Sequence, residues 1–129
     1  MATKKKMFTL EYIIKSSPGI LFDFISTPAG LAQWFADKVD STQKHWVFAW
    51  DGSEEEAELV EKHEPVFVKF RWTYQSKDEY FEMRIKTSDI SRDTILTITD
   101  FAEPKDMNDQ TLLWESTIQN LKQHIGGLG

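Results

Sequence analysis

The sequence predicts an α+β fold in which a curved antiparallel β-sheet wraps around a long C-terminal helix. Three observations support this fold: apolar residues alternate with polar ones in many short segments, short turn-forming clusters separate those segments, and the chain closes with an amphipathic helix. Connections that short favour antiparallel pairing of neighbouring strands. With 129 residues we expect a single domain, 1–129, in which residues 1–6 form a disordered N-terminus.

Two short helices are predicted after the first strand. The first strand spans Met7 to Lys15, where every second residue is apolar. Ser17-Pro18 and Thr27-Pro28 then each place a hydroxyl residue before a proline, which is typical of a helix N-terminus. The first helix runs to about Ser26. The second helix ends at Asp37 and carries on one face Leu31, Trp34 and Phe35.

A run of antiparallel strands and one long helix complete the prediction. The strands are a brief one near Val39, then His45 to Asp51, Glu55 to Lys62, Val66 to Tyr74, Glu79 to Thr87 and Thr94 to Phe101. The helix runs from Asp106 to Ile125, and its apolar stripe contains Leu113 or Trp114, Ile118, Leu121 and Ile125. Gly126-Gly127 is expected to end it as a C-cap.

Composition and charge exclude several classes of function. The net charge is −6, so a nucleic-acid backbone is not an expected partner. The chain has no cysteine, which excludes disulfides and thiolate chemistry and suits a reducing compartment, so the expected location is cytoplasmic. No apolar run is long enough for a membrane span. Oligomeric state is not predictable from the sequence.

Aromatic residues are the main candidates for a binding site. Trp34, Phe35, Trp46, Phe48 and Trp50 fall within seventeen residues. Strand alternation turns the bulky residues of the later strands toward the same interior, and indole N–H groups there need hydrogen-bond partners. The residues expected to line a ligand cavity are Trp34, Phe35, Trp46, Phe48, Trp50, Phe70, Trp72, Phe81, Met83, Trp114 and Ile118.

Candidates for catalysis and metal binding are few. The three histidines are far apart and no metal-ligand spacing occurs, so no catalytic residue, metal site or cofactor is predicted. Asp37 and Asp100 are the carboxylates near the predicted cavity edges, and a carboxylate inside an apolar cavity would have a raised pKa. Glu54-Glu55-Glu56 is interpreted as a solvated charge run.

The residues also resemble a known family, the START-like (SRPBCC, helix-grip) superfamily, and in particular its branch similar to the activator of the 90-kDa heat-shock chaperone's ATPase. The segments that carry the resemblance are Ser17-Pro18, Gly30 to Asp37, Phe48, Phe70-Arg71-Trp72, Thr94 to Phe101, and Trp114 with Leu121. The resemblance implies a helix-grip fold. It differs at Asp40 to Lys44, where members of the branch commonly have a glycine pair.

Three functions follow as hypotheses. The first is binding of an apolar or amphipathic small molecule in the cavity between the sheet and the last helix, without catalysis. The second, implied by the resemblance, is a co-chaperone-like module that binds a chaperone partner through its surface and has a filled interior. The third is a polyketide-cyclase-like enzyme with a titratable group inside the cavity. An enzyme is the less favoured of these readings.

Overall fold

The computed structural model describes residues 4–125, and within them an antiparallel sheet holds one long helix against its inner face. The strands are β1 (Lys6–Ile14), β2 (Lys38–Thr42), β3 (His45–Trp50), β4 (Ser53–His63), β5 (Phe67–Trp72), β6 (Phe81–Thr87) and β7 (Thr94–Ala102). The helices are α1 (Pro18–Ser26), α2 (Pro28–Leu31) and α3 (Met107–Ile125), with a 3-10 turn at Pro104–Asp106 before α3.

Strands β2 to β7 form an antiparallel meander, and the first strand of the chain adds to it beside β7. Within residues 4–125 the strand order is β1-β7-β6-β5-β4-β3-β2, and every neighbouring pair is antiparallel. Strand β1 therefore pairs with the last strand, and β2 forms the opposite edge. This curved sheet with its C-terminal helix confirms the predicted α+β, helix-grip fold.

The caps predicted from the two Ser/Thr-Pro pairs are present. The Ser17 hydroxyl accepts a hydrogen bond from the Ile20 amide, and the Thr27 hydroxyl accepts one from the Gly30 amide. Helix α2 is much shorter than predicted, because it ends at Leu31 and residues 32–35 form turns. There the amides of Phe35 and Ala36 both donate to the Leu31 carbonyl, which tightens the chain before it enters β2.

Most strand boundaries agree with the prediction to within two residues. Lys6, expected in a disordered terminus, is the first residue of β1. The predicted Gly126-Gly127 cap and residues 1–3 lie outside the described residues. The turn between β3 and β4 consists of Asp51 and Gly52 with φ of 49° and 88°, which is the left-handed pair that a tight hairpin requires.

Helix α3 buries the apolar stripe that joins it to the sheet. Trp114, Ile118 and Leu121 are buried, whereas Leu113 is 60% exposed. The open choice between Leu113 and Trp114 is thus settled in favour of Trp114. Burying each of these side chains stabilises the fold by about 1.5–3 kcal/mol.

The outer face of the sheet is charged. Glu82 lies opposite Lys69 in register and also accepts from Arg84 at 3.0 Å. Lys86 contacts Glu11 at 3.0 Å. None of the helices within residues 4–125 has the length and hydropathy that a membrane span requires.

Candidate functional site

A cleft of about 410 Å³ opens between the inner face of the sheet and one side of α3. This volume falls within the range of about 300–1,000 Å³ that is typical of small-molecule sites. Its described wall consists of Phe35, Trp50, Glu55, Trp72, Tyr74, Phe81, Asp100, Gln110, Leu113, Trp114 and Thr117. We call this space the cleft.

The rings of the cleft wall form one continuous aromatic surface. Phe81 stacks on Trp72 with 5.0 Å between ring centroids and on Phe35 at 5.8 Å. Trp72 and Tyr74 are parallel to within 2°, with centroids 6.4 Å apart. Such contacts each add about 0.5–1.5 kcal/mol beyond the burial of apolar area, so the rings hold one another in place.

Asp100 places a carboxylate in this aromatic surface. It follows the buried residues Leu96 and Ile98 at period two along β7, so its side chain lies on the inner face of the sheet. Oδ2 accepts a 2.8 Å hydrogen bond from Nε1 of Trp114, and Oδ1 accepts one of 2.7 Å from the amide of Phe101.

The environment of Asp100 disfavours its charge. Burial raises the pKa of the Asp100 carboxyl above its ordinary value of 3.8, and the hydrogen bonds from Trp114 and Phe101 and the charge of Lys5 lower it in part. The raised pKa was expected for a carboxylate inside an apolar cavity.

Two further polar groups lie on the wall near Asp100. Glu55 pairs with Phe48 across β3 and β4 and lies on the inner face, whereas its neighbours Glu54 and Glu56 lie on the outer face. The Tyr74 phenol has a raised pKa, first because of partial desolvation and then because of the carboxylates of Glu55, Asp100 and Glu79. The polar end of the cleft is therefore acidic.

The structure brings five of the eleven predicted site residues to the cleft and leaves six elsewhere. Phe35, Trp50, Trp72, Phe81 and Trp114 line the cleft. The others, buried in the core, are Trp34, Trp46, Phe48, Phe70, Met83 and Ile118. The physical reason is that the cleft occupies only one end of the sheet–helix interface, while side chains fill the remainder.

Sequence reasoning missed most of the polar wall. Glu55 is exposed, as the interpretation of Glu54-Glu55-Glu56 as a solvated run implied, and it lies at period two from the buried Ala57, so it also shares that residue's face. The other wall residues that were not predicted are Tyr74, Gln110, Leu113 and Thr117. Gln110, Leu113 and Thr117 recur every three to four residues on α3, a stripe beside the apolar one.

Three of the five indole N–H groups, those of Trp34, Trp50 and Trp114, donate hydrogen bonds to described residues. Trp34 donates to the Phe24 carbonyl at 2.8 Å and Trp50 to the Phe35 carbonyl at 2.7 Å. Nε1 of Trp46 is buried with no partner among the described residues. The first two bonds tie the segment after α2 to α1 and β3, which fixes the ring of Phe35 at the cleft.

A second, more open groove adjoins the cleft. It lies between the 32–37 segment and α3, has a volume of about 590 Å³, and shares Phe35, Trp50, Leu113 and Thr117 with the cleft. Leu113 therefore stands at the boundary of both spaces. Asp37 lies in this groove, where its carboxylate accepts from the Asp51 amide at 2.7 Å.

Histidine and carboxylate positions offer no metal site. Within the part of the chain that the structure describes, no group of three or more His, Asp or Glu residues could hold a metal ion. His45 contacts Glu56 and His63 contacts Glu61, both exposed on the surface. What the cleft presents chemically is an aromatic wall with carboxylate, phenol, amide and hydroxyl groups.

Comparison with known proteins gives one family model and several solved structures. The START-like superfamily domain model matches residues 1–127. The solution NMR structure of protein BfR322 from Bacteroides fragilis is 36% identical and covers 93% of this chain and 90% of its own, with a TM-score of 0.66.

Two more distant structures share the fold. The Aha1 dimer from Colwellia psychrerythraea is 15% identical, with a TM-score of 0.78 and coverage of 93% of this chain and 96% of its own. DynU16, from the dynemicin biosynthetic locus, is 14% identical, with a TM-score of 0.76 and coverage of 93% and 47%. No curated protein matches the sequence. From the family model and the identity to the Bacteroides protein, the chain belongs to the START-like superfamily.

Proposed function

We propose that the chain binds an amphipathic small molecule in the cleft, with the ligand's apolar part against the aromatic wall and its polar part at Asp100. The observation that carries this proposal is the open space of about 410 Å³ between α3 and an otherwise well-packed sheet. Interiors are normally filled to crystal-like density, so a space of this size lined by ordered rings is suited to a ligand.

The open cleft also bears on the protein-interaction alternative. A co-chaperone-like module was expected to have a filled interior, and the described residues leave the cleft open. The likeness to the Aha1 dimer is one of fold alone at 15% identity. These observations favour the small molecule over a chaperone partner.

A second candidate function rests on Asp100. A carboxyl group with a raised pKa inside a cleft is suited to general acid–base chemistry, as in the cyclase-like alternative. Both of its oxygens already accept hydrogen bonds, and this arrangement is equally suited to holding a ligand. Unchanged recovery of the bound molecule would support binding over catalysis.

The test uses two adjacent leucines of α3 that are similarly exposed. Leu113 is 60% exposed and lines the cleft, whereas Leu112 is 54% exposed and does not. We expect the neutral dye Nile red to bind the wild-type protein and to bind at least about tenfold more weakly to Leu113→Trp, because the indole fills the cleft mouth. Leu112→Trp should retain wild-type affinity. Equal affinity in all three proteins, or no saturable dye binding, would overturn the proposal.

A further inference from the structure

The described wall of the cleft carries negative charge without a counter-charge. Glu55 and Asp100 are its ionisable carboxylates, and no Lys, Arg or His is among the described residues that line it. Lys5 is not part of this wall, but it lines an adjoining space with Trp72, Tyr74 and Asp100. Its Nζ lies 3.7 Å from Glu79 and 5.8 Å from the centroid of the Tyr74 ring, and its charge lowers the pKa of Asp100 in part. A molecule entering the cleft therefore meets two acids and no base.

The aromatic rings beside these acids favour the same sign of charge in a ligand. The rings of Trp72 and Tyr74 stack in parallel with centroids 6.4 Å apart, and the ring centroid of Trp50 lies 6.0 Å from that of Trp72. The face of an aromatic ring carries negative potential and attracts ammonium groups, by about 0.5–2 kcal/mol per contact when water is displaced. Rings and carboxylates thus act together at this end of the cleft.

We propose that the ligand of the cleft is an amphipathic cation, with an amine or quaternary ammonium group between Asp100 and the Trp72–Tyr74 pair and an apolar tail along Phe35, Phe81 and Trp114. This inference rests on the proposed function and specifies the class of ligand. The tail extends toward Leu113, where the cleft meets the adjoining groove.

The hydrogen bonding of Asp100 leaves room for such a partner. Trp114 and the Phe101 amide each donate to a different oxygen, so each oxygen retains a lone pair. Burial raises the pKa of this carboxyl because its charge lacks solvation. A ligand cation adds to the partial counter-charge that Lys5 supplies, whereas a fatty acid or phosphate would bring a like charge into a poorly solvated space.

The experiment compares three ligands with one tail. Octyltrimethylammonium, octanol and octanoate are titrated at neutral pH against the isotope-labelled protein, with amide shifts of Trp72 and Asp100 as the readout. The two ions are kept below their micelle concentrations and octanol below its solubility limit. We expect the ammonium to bind about tenfold more tightly than octanol, and octanoate to bind most weakly.

Charge-neutral variants identify the origin of that preference. Asp100→Asn and Glu55→Gln should each reduce the advantage of the ammonium over octanol several-fold while octanol binding persists. Glu54→Gln removes the same charge from the outer face of the same strand and should leave the advantage unchanged. If Asp100→Asn does not fold, the comparison of ammonium with octanol is made with Glu55→Gln and its control Glu54→Gln.

The two proposals fail differently. The proposal of a cationic ligand is overturned, and the binding function is left intact, in either of two cases. In the first, octanol and octanoate bind as tightly as the ammonium; in the second, the preference for the ammonium persists in both Asp100→Asn and Glu55→Gln. Absence of shifts at the cleft with all three ligands overturns both.

Discussion

Nε1 of Trp114 donates a 2.8 Å hydrogen bond to Oδ2 of Asp100, and this bond joins α3 to β7 at the wall of the cleft. It is a bond to an ionisable group at a poorly solvated position, where such bonds are stronger than in water. It therefore fixes the position of the carboxylate relative to α3 at the wall of the cleft.

Replacing Trp114 by Phe should destabilise the protein by about 2–4 kcal/mol at neutral pH. The variant loses part of a buried ring and leaves a buried carboxylate oxygen without its donor. Trp34→Phe is the matched control, because it removes a bond of the same length to an uncharged carbonyl. Urea unfolding measures both. Equal losses in the two variants would contradict the special role of the Trp114–Asp100 pair.

The stability of Asp100→Asn relative to the wild-type protein should fall as the pH falls. Because burial raises the pKa of Asp100 in the folded protein, folding favours the protonated carboxyl. That stabilisation is complete below the ordinary pKa of 3.8 and is lost as the pH rises through the raised value. The wild-type protein should therefore gain stability relative to the asparagine variant as the pH falls.

Urea midpoints measured from neutral pH down to about pH 3 follow this change. Asp89→Asn, in an exposed loop, should follow the wild-type curve at every pH. A stability difference between wild type and Asp100→Asn that is independent of pH would refute the assigned effect of burial.

Gly30→Ala should destabilise the protein by about 1–3 kcal/mol, because a Cβ there would collide with the Asp23 carbonyl oxygen and with Cα of Phe24. Both atoms belong to the backbone of α1, so the two helices would have to separate. Gly19→Ala makes the same change within α1 at a position with open space, and should stabilise by about 0.5–1 kcal/mol. Thermal unfolding of both variants tests the sign as well as the size.

Gln43→Gly should stabilise the protein by about 1 kcal/mol. Gln43 lies in the two-residue turn between β2 and β3 with φ of 55°, a conformation in which a side chain is strained. Its neighbour Lys44 has no positive φ, so Lys44→Gly should cost about 0.5–1 kcal/mol through the unfolded chain. Denaturant midpoints that shift in the same direction for both variants would argue against this strain.

Local pattern was sufficient to predict the sheet and the long helix. Alternation identified the inner residues of β3, β5 and β6, and cap residues identified the start of α1. The length of α2 was wrong because Leu31, Trp34 and Phe35 have helical spacing yet occupy a turn. That turn is stabilised by nonlocal bonds, from Trp34 to Phe24 and from Trp50 to Phe35, which the spacing does not encode.

The site was only partly predictable for a related reason. Alternation tells which face of a strand a ring occupies, and it therefore grouped Phe48, Phe70 and Met83 with Trp50 and Trp72. Where along that face the cleft opens depends on how α3 lies across the sheet, which no local pattern specifies. The rings under the centre of the helix are fully buried, and those near one end border open space.

Strand β1 pairs with residues that lie 80 to 96 positions further along the chain, with Lys6 opposite Ala102 and Ile14 opposite Thr94. Closing so long a loop costs entropy before any of these bonds can form. The hairpins between β2 and β7 involve strands that are close in sequence and can form first. The pairing of β1 with β7 can form only after the chain brings these two distant strands together. Refolding should accordingly proceed on the order of milliseconds to seconds, the regime of topologies dominated by distant contacts.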